Sequence, residues 1–254
     1  VYIDNLEEYQ DPDLYDWENE TVYELPFLAK WAARSKGPII DLACGTGRTA
    51  IPLVEKGFEI IGVDIHSGML EQAKKKASKK GYLIKWVFQD CRNLYLDVQS
   101  SMIYMVGNSF QHFLTNEDQN KLMKSVHRHL RDDGVFIFNS RFPNAEELLQ
   151  PPAEEYWRSY INYNTKQEVD VYTVSSFDLL SQIQHYETIR RYKNSAGKYL
   201  NENRTNIRLR YSFPKEMERL LTEQGLKIIE LYGDWNETPI SQGSSEMIYV
   251  CQKY

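Results

Sequence analysis

Apolar positions recur along this chain in two rhythms, and the rhythm changes once. Up to about residue 143, short β-branched runs alternate with stretches of helical spacing. Ile39 to Ala43, Phe58 to Asp64, Leu83 to Phe88, Ser101 to Val106 and Val135 to Phe138 are short and apolar enough to read as buried strands. Helical spacing runs to about Ala33, through Val22, Leu25, Phe27, Leu28 and Trp31, with Asp16 placed to cap it. It returns at Ile51, Leu53 and Val54, over Met69 to Lys80, and over Glu117 to Leu130. Strands alternating with helices predict βαβ units, a parallel sheet and right-handed crossovers.

From Tyr156 to Tyr211 the period shortens to two. Val169, Val171 and Thr173 alternate with Asp170 and Tyr172, Gln182 to Tyr192 alternates again, and Ile207, Leu209 and Tyr211 close a third run. Asn194-Ser195-Ala196-Gly197 is a turn, so three strands of an antiparallel meander are expected. Pro214 then opens a helix ended by Gly225, and Leu226 to Leu231 and Met247 to Val250 give two last strands. The fold class read here is α/β, with a seven-stranded, mostly parallel sheet and an antiparallel β insertion between its fifth and sixth strands. Residues 1–152 and 214–254 make the α/β domain, and 153–213 make the insertion.

Composition narrows the function. The 254 residues carry 30 basic and 36 acidic side chains, a net charge of −6, which disfavours a protein built to grip nucleic-acid phosphates. No run approaches the ~20 apolar residues of a membrane span, and Val1 to Glu20 lacks the basic and apolar segments of a signal peptide. Cys44, Cys91 and Cys251 are odd in number and widely spaced, with neither metal spacing nor a disulfide framework, so no metal and a reducing cytoplasmic location are expected.

The chemistry gathers where strands end. Asp41-Leu42-Ala43-Cys44-Gly45-Thr46-Gly47-Arg48 leaves the first strand and opens a helix, at the edge where open α/β sheets bind ligands. Two glycines admit close backbone approach, and a helix N-terminus favours a carboxylate. A dinucleotide fingerprint is disfavoured, because Asp41 would repel a pyrophosphate and suits a cationic amine instead. Asp64 closes the second strand, 17 positions after Gly47, and can accept both hydroxyls of a ribose. Gln89-Asp90-Cys91-Arg92 follows the third strand, where an acid can accept from an adenine amino group. An amino acid, a ribose and an adenine together make S-adenosylmethionine.

With Asp41-x-Ala43-Cys44-Gly45-Thr46-Gly47-Arg48, Gly62-Val63-Asp64-Ile65-x-x-x-Met69-Leu70 and Gln89-Asp90, the chain resembles a class I S-adenosylmethionine-dependent methyltransferase. The resemblance is strong over about residues 36–143. It is most similar to small-molecule enzymes with a three-stranded β insertion, such as glycine and amino-sugar N-methyltransferases. It implies a Rossmann-like domain that binds S-adenosylmethionine and releases S-adenosylhomocysteine. Asp41, Ala43, Cys44, Gly45, Thr46, Gly47, Arg48, Asp64, Ile65, Met69, Asp90, Cys91, Arg92 and Asn108 are the implied cofactor residues, and the insertion is a substrate cap or dimer element. A monomer or a homodimer is expected.

The fourth strand runs into Gly107-Asn108-Ser109-Phe110-Gln111-His112-Phe113, the loop that in this fold faces the transferable methyl. The Asn/Asp-Pro-Pro-aromatic signature of nucleobase and protein-amide methylation is absent there, and Gln150-Pro151-Pro152 lies elsewhere. An amine acceptor needs no strong base. A hydroxyl acceptor does, and His112 is then the candidate, its alternative being a capping or packing role. In related enzymes the N-terminal segment is a lid, and Tyr15 stands where they carry an aromatic, although ordinary packing explains it equally. A catalytically silent binding protein and an RNA methyltransferase are the competing readings.

Overall fold

The structure, a computed structural model, describes residues 5–162 and 165–254. Its strands are β1 (Ile39–Leu42), β2 (Ile60–Asp64), β3 (Lys85–Phe88), β4 (Ser100–Met105), β5 (Leu130–Arg141), β6 (Glu155–Ile161), β7 (Glu168–Asp178), β8 (Ile183–Lys193), β9 (Tyr199–Arg210), β10 (Leu226–Tyr232) and β11 (Glu246–Lys253). Its helices are α1 (Pro12–Glu18), α2 (Leu25–Ala32), α3 (Ala50–Glu55), α4 (Ser67–Lys79), α5 (Asn116–His129), α6 (Ala145–Leu148) and α7 (Pro214–Glu223). The chain divides into two compact units. One is Tyr9–Pro143 with Ser212–Tyr254; the other is Asn144–Tyr211 with the N-terminal residues through Glu8.

The larger unit holds a seven-stranded sheet in the order β10-β11-β5-β4-β1-β2-β3. The neighbours β5, β4, β1, β2 and β3 run parallel, and β11 is antiparallel to both β5 and β10. Successive side chains leave a strand on opposite faces. Ile40, Leu42, Ile103, Met105, Phe136 and Phe138 therefore meet α5 and α7 on one face, while Ile39, Met102, Tyr104 and Ile137 meet α2 and α3 on the other. Burial on both faces explains why these strands read as continuous apolar runs. Asp41, fully buried inside β1, interrupts its run.

The N-terminal helix expected up to Ala33 is two helices. Asp11, not Asp16, caps α1, accepting from Leu14 N–H at 3.0 Å, while α2 carries Pro26 in its first turn. His66 caps α4, accepting from Met69 N–H at 3.2 Å. No helix among the described residues is long and apolar enough to cross a membrane.

The smaller unit is a meander of four antiparallel strands, β6-β7-β8-β9, not three. β6 escaped the periodicity because Glu155–Ile161 is largely exposed and a bulge between Tyr156 and Arg158 breaks its alternation. β9 begins at Tyr199, earlier than Ile207, because its polar first half is exposed. Arg190 is 3% exposed, and its guanidinium donates to Glu8 and to the Thr205 hydroxyl, both at 2.8 Å. The outer edge of β9 is occupied by side chains: Asn5 accepts from Arg208 N–H at 2.7 Å and donates to Arg208 C=O at 2.9 Å, and Glu7 accepts from Asn206 N–H at 2.8 Å.

Candidate active site

β1 ends in a loop with three left-handed residues: Ala43 (φ 53°), Gly45 (φ 55°) and Gly47 (φ 74°). Alanine there costs about 1–2 kcal/mol, so the surrounding structure enforces the turn. Gly47 N–H donates to Cys44 C=O at 2.9 Å, and Ile51 N–H donates to Gly47 C=O at 3.0 Å, leading the loop into α3. The Trp86 indole on β3 packs against this bend. A Cβ at Gly47 would meet it at 2.7 Å and one at Gly62 at 2.5 Å, so both positions require glycine.

Three acids stand along this edge, in three different states. Asp41 accepts from the Thr49 hydroxyl at 3.2 Å through Oδ2, while Oδ1 is buried without a partner. Burial pushes its carboxyl up to about 8, against hydrogen bonding from the Tyr104 and Thr49 hydroxyls. Asp64 spans two loops: Oδ2 accepts from Gly45 N–H and Oδ1 from His66 N–H, each at 2.8 Å. Burial raises it as well, while those backbone donors oppose the rise. Asp90 also feels burial, but the Arg92 side chain and backbone outweigh it, and its carboxyl is held low. Arg92 Nη1 reaches on to Asp118 at 2.8 Å.

The chain before α2 folds over the loop. Asp16 accepts from the Thr46 hydroxyl and from Lys76 Nζ, the latter at 2.6 Å, and Gln72 bonds Asp13 at 2.7 Å. Arg48 pairs with Glu24 at 2.5 Å, donates to Thr21 C=O at 2.6 Å and lies beside the Tyr15 hydroxyl. Tyr15 in turn packs on Tyr9, ring centroids 5.7 Å apart.

β4 ends in a second strained loop, where Asn108 has φ 58°, a conformation asparagine tolerates. Its amide is paired reciprocally with Asn139: Asn108 N–H donates to Asn139 Oδ1 at 3.0 Å, and Asn139 Nδ2 donates to Asn108 Oδ1 at 2.9 Å. His112 Nε2 shares a 2.8 Å hydrogen bond with the Tyr9 hydroxyl. Burial lowers the imidazole to about 4, so it is neutral at pH 7.

A methyltransferase-domain family model matches residues 39–134. The glycine/sarcosine N-methyltransferase of Halorhodospira halochloris is 28% identical over 99% of this chain and 88% of its own length. The chain is a class I S-adenosylmethionine-dependent methyltransferase. The fold agrees with a solved S-adenosylmethionine-dependent methyltransferase from Clostridium acetobutylicum, with TM-score 0.78, 20% identity, and 95% and 96% of the two chains covered. The methyltransferase likewise matches CalS10, an amino pentose methyltransferase from Micromonospora echinaspora, with TM-score 0.75, 14% identity, and 97% and 98% covered.

Most of the residues named from the sequence fall along one edge of this methyltransferase's sheet. Asp41, Ala43, Cys44, Gly45, Thr46, Gly47 and Arg48 follow β1; Asp64, Ile65 and Met69 follow β2; Asp90, Cys91 and Arg92 follow β3; Asn108 and His112 follow β4. A Cβ at Gly45 would lie 3.3 Å from Met69 Cε, so the first two groups are in contact. Burial raises the Cys44 thiol and pushes Cys91 up to about 12, which marks both as packing groups. Tyr9, Trp86, Asn139 and Glu246 were not singled out as site residues. No sequence motif announces them.

Proposed function

We propose that this methyltransferase transfers the methyl group to the amine nitrogen of a small molecule. The observation that carries the reading is the neutral His112. A group held near 4 and engaged by Tyr9 is a poor general base, whereas an amine that arrives unprotonated needs only alignment. The glycine/sarcosine and amino pentose relatives support the same acceptor class.

Bound S-adenosylmethionine supplies a methyl on a cationic sulfur, so the chain's own task is to bind, orient and exclude water. Asp41, buried and without an ion-pair partner among the described residues, offers an unpaired oxygen to the cofactor's amine. The loop over Ala43–Arg48 receives its carboxylate. Each Asp64 oxygen accepts one backbone N–H and retains a lone pair for a ribose hydroxyl. Asp90 holds the Cys91–Arg92 turn at the adenine end through its bonds to Arg92. Tyr9 and His112 shape the acceptor side.

The experiment is methyl transfer from labelled S-adenosylmethionine to glycine, sarcosine and a 3-amino sugar, beside their hydroxyl counterparts. Label in the amines alone is expected. Label in the hydroxyl compounds alone overturns the amine reading.

A further inference from the structure

Glu246 opens β11, directly opposite Arg141 at the close of β5. Because β11 runs antiparallel to β5, its first residue lies at the edge where β1 to β5 end. The cofactor groups argued above occupy the exits of β1, β2 and β3. The exits of β4 and β5, and the start of β11, are what remains for an acceptor.

The Glu246 side chain is tied into that remainder. Asn139 Nδ2 donates to its Oε2 at 3.3 Å and to Asn108 Oδ1 at 2.9 Å, so one amide links Glu246 to the loop after β4. Burial raises the Glu246 carboxyl, with the Glu24 charge adding to the rise; Asn139, Arg141 and the Trp235 indole oppose it. Among the described residues no lysine or arginine pairs with Glu246 at ion-pair distance. The Arg141 charge acts on Glu246 across the strand pair without closing an ion pair, so the half-buried carboxylate stays only partly compensated, and a positively charged guest offsets the remaining cost.

We propose that Glu246 stabilises the positive charge that arrives on the acceptor nitrogen during transfer, and so favours an amine acceptor over a hydroxyl. The inference rests on the amine reading above. As the nitrogen lone pair forms the new N–C bond, the C–S electron pair returns to sulfur, and the positive charge moves from sulfur to nitrogen. A carboxylate beside the nitrogen favours the later part of that path, which accelerates the reaction. The extra proton of the methylated ammonium then leaves to water. Asn139 is the positioning residue that holds the carboxyl toward the β4 loop.

Sinefungin provides a probe that needs no acceptor, because it carries an ammonium where S-adenosylmethionine carries the methyl. Calorimetry compares sinefungin with S-adenosylhomocysteine on the wild type, Glu246→Gln and Glu246→Asp. Glutamine keeps an oxygen for Asn139 and removes only the charge. The expected result is a wild-type preference for sinefungin that falls about tenfold in Glu246→Gln and returns in Glu246→Asp, with S-adenosylhomocysteine affinity unchanged. An equal preference in wild type and Glu246→Gln overturns the proposal, as does a loss of S-adenosylhomocysteine affinity in Glu246→Gln. In turnover, Glu246→Gln should lower kcat/KM for glycine at least tenfold, with the KM for S-adenosylmethionine unmoved. Transfer by the wild type to glycolate but not to glycine overturns the amine reading, and the sinefungin comparison still judges Glu246 separately.

Discussion

The sheet's functional edge has two halves built by different means. Over β1 to β3 the shape is set by backbone: left-handed loop residues, a tryptophan against glycine, and an aspartate bonded to two backbone N–H groups. Over β4, β5 and β11, beyond the left-handed turn at Asn108, it is set by side chains that meet from distant positions: Tyr9 with His112, Asn108 with Asn139, Asn139 with Glu246. A backbone-built half is hard to change without losing the fold, and it suits a ligand that every family member shares. A side-chain-built half can be exchanged residue by residue, and it suits an acceptor that differs between members.

The comparison breaks most visibly at Asp64. Asp64→Ala removes the proposed ribose acceptor and releases Gly45, so S-adenosylmethionine affinity should fall by ~1.5–3 kcal/mol in calorimetry. Unchanged affinity would show that the glycine loop holds itself and that the ribose assignment is wrong.

Asp41 gives the next largest effect, and its sign can be worked out. Burial lifts its folded value to about 8; the Tyr104 and Thr49 hydroxyls and the Arg48 charge pull down, and the Asp64 charge pushes up. The folded value lies above the unfolded one, so between about pH 4 and 8 the folded protein keeps a proton that the unfolded chain has lost. The ligand-free protein should therefore lose stability as pH rises through that window, by up to about 1.4 kcal/mol per pH unit from this group. Asp41→Asn should flatten the slope of Tm against pH. Holding an ammonium requires the carboxylate, so cofactor binding near pH 6.5 should release close to one proton. Calorimetry in two buffers of different ionisation enthalpy measures that release.

On the acceptor side the effects are smaller and kinetic. Tyr9→Phe should lower kcat about tenfold and His112→Asn less than that, with cofactor affinity intact in both, because alignment is disturbed and no base is lost. The ratio of wild-type to His112→Asn rates should stay level from pH 6 to 9. A hundredfold loss that shrinks at high pH would restore His112 as a general base. The smallest effect belongs to Asp16→Asn: it weakens the partly exposed contact with Lys76, and stopped-flow should show cofactor release only a few-fold faster.

These two halves were not equally visible in the sequence. Asp41, Gly45, Gly47 and Asp64 could be placed at the ends of strands because glycines and strand ends are local signals, and alternating strands and helices imply a parallel sheet. That Asp64 also holds Gly45 is a pairing across 19 positions, and no local pattern carries it. Tyr9 and His112 are 103 positions apart, and Asn139 and Glu246 are 107 apart. Neither pair sits in a motif, so only the folded chain brings their atoms together. β6 was missed for the opposite reason: an exposed, bulged strand has no apolar alternation to detect.

The N-terminal residues that bond the outer edge of β9 matter for handling the protein. A strand at the rim of a sheet invites another chain to continue the ladder, and here Asn5 and Glu7 imitate that missing strand with side-chain oxygens and an amide. Proteolytic trimming ahead of Tyr9 removes the imitation and also strips Arg190 of Glu8, baring backbone donors on one side of the meander. A preparation clipped there should gain dimers and larger aggregates in light scattering on storage, while the seven-stranded unit, which begins at Tyr9, keeps its own core.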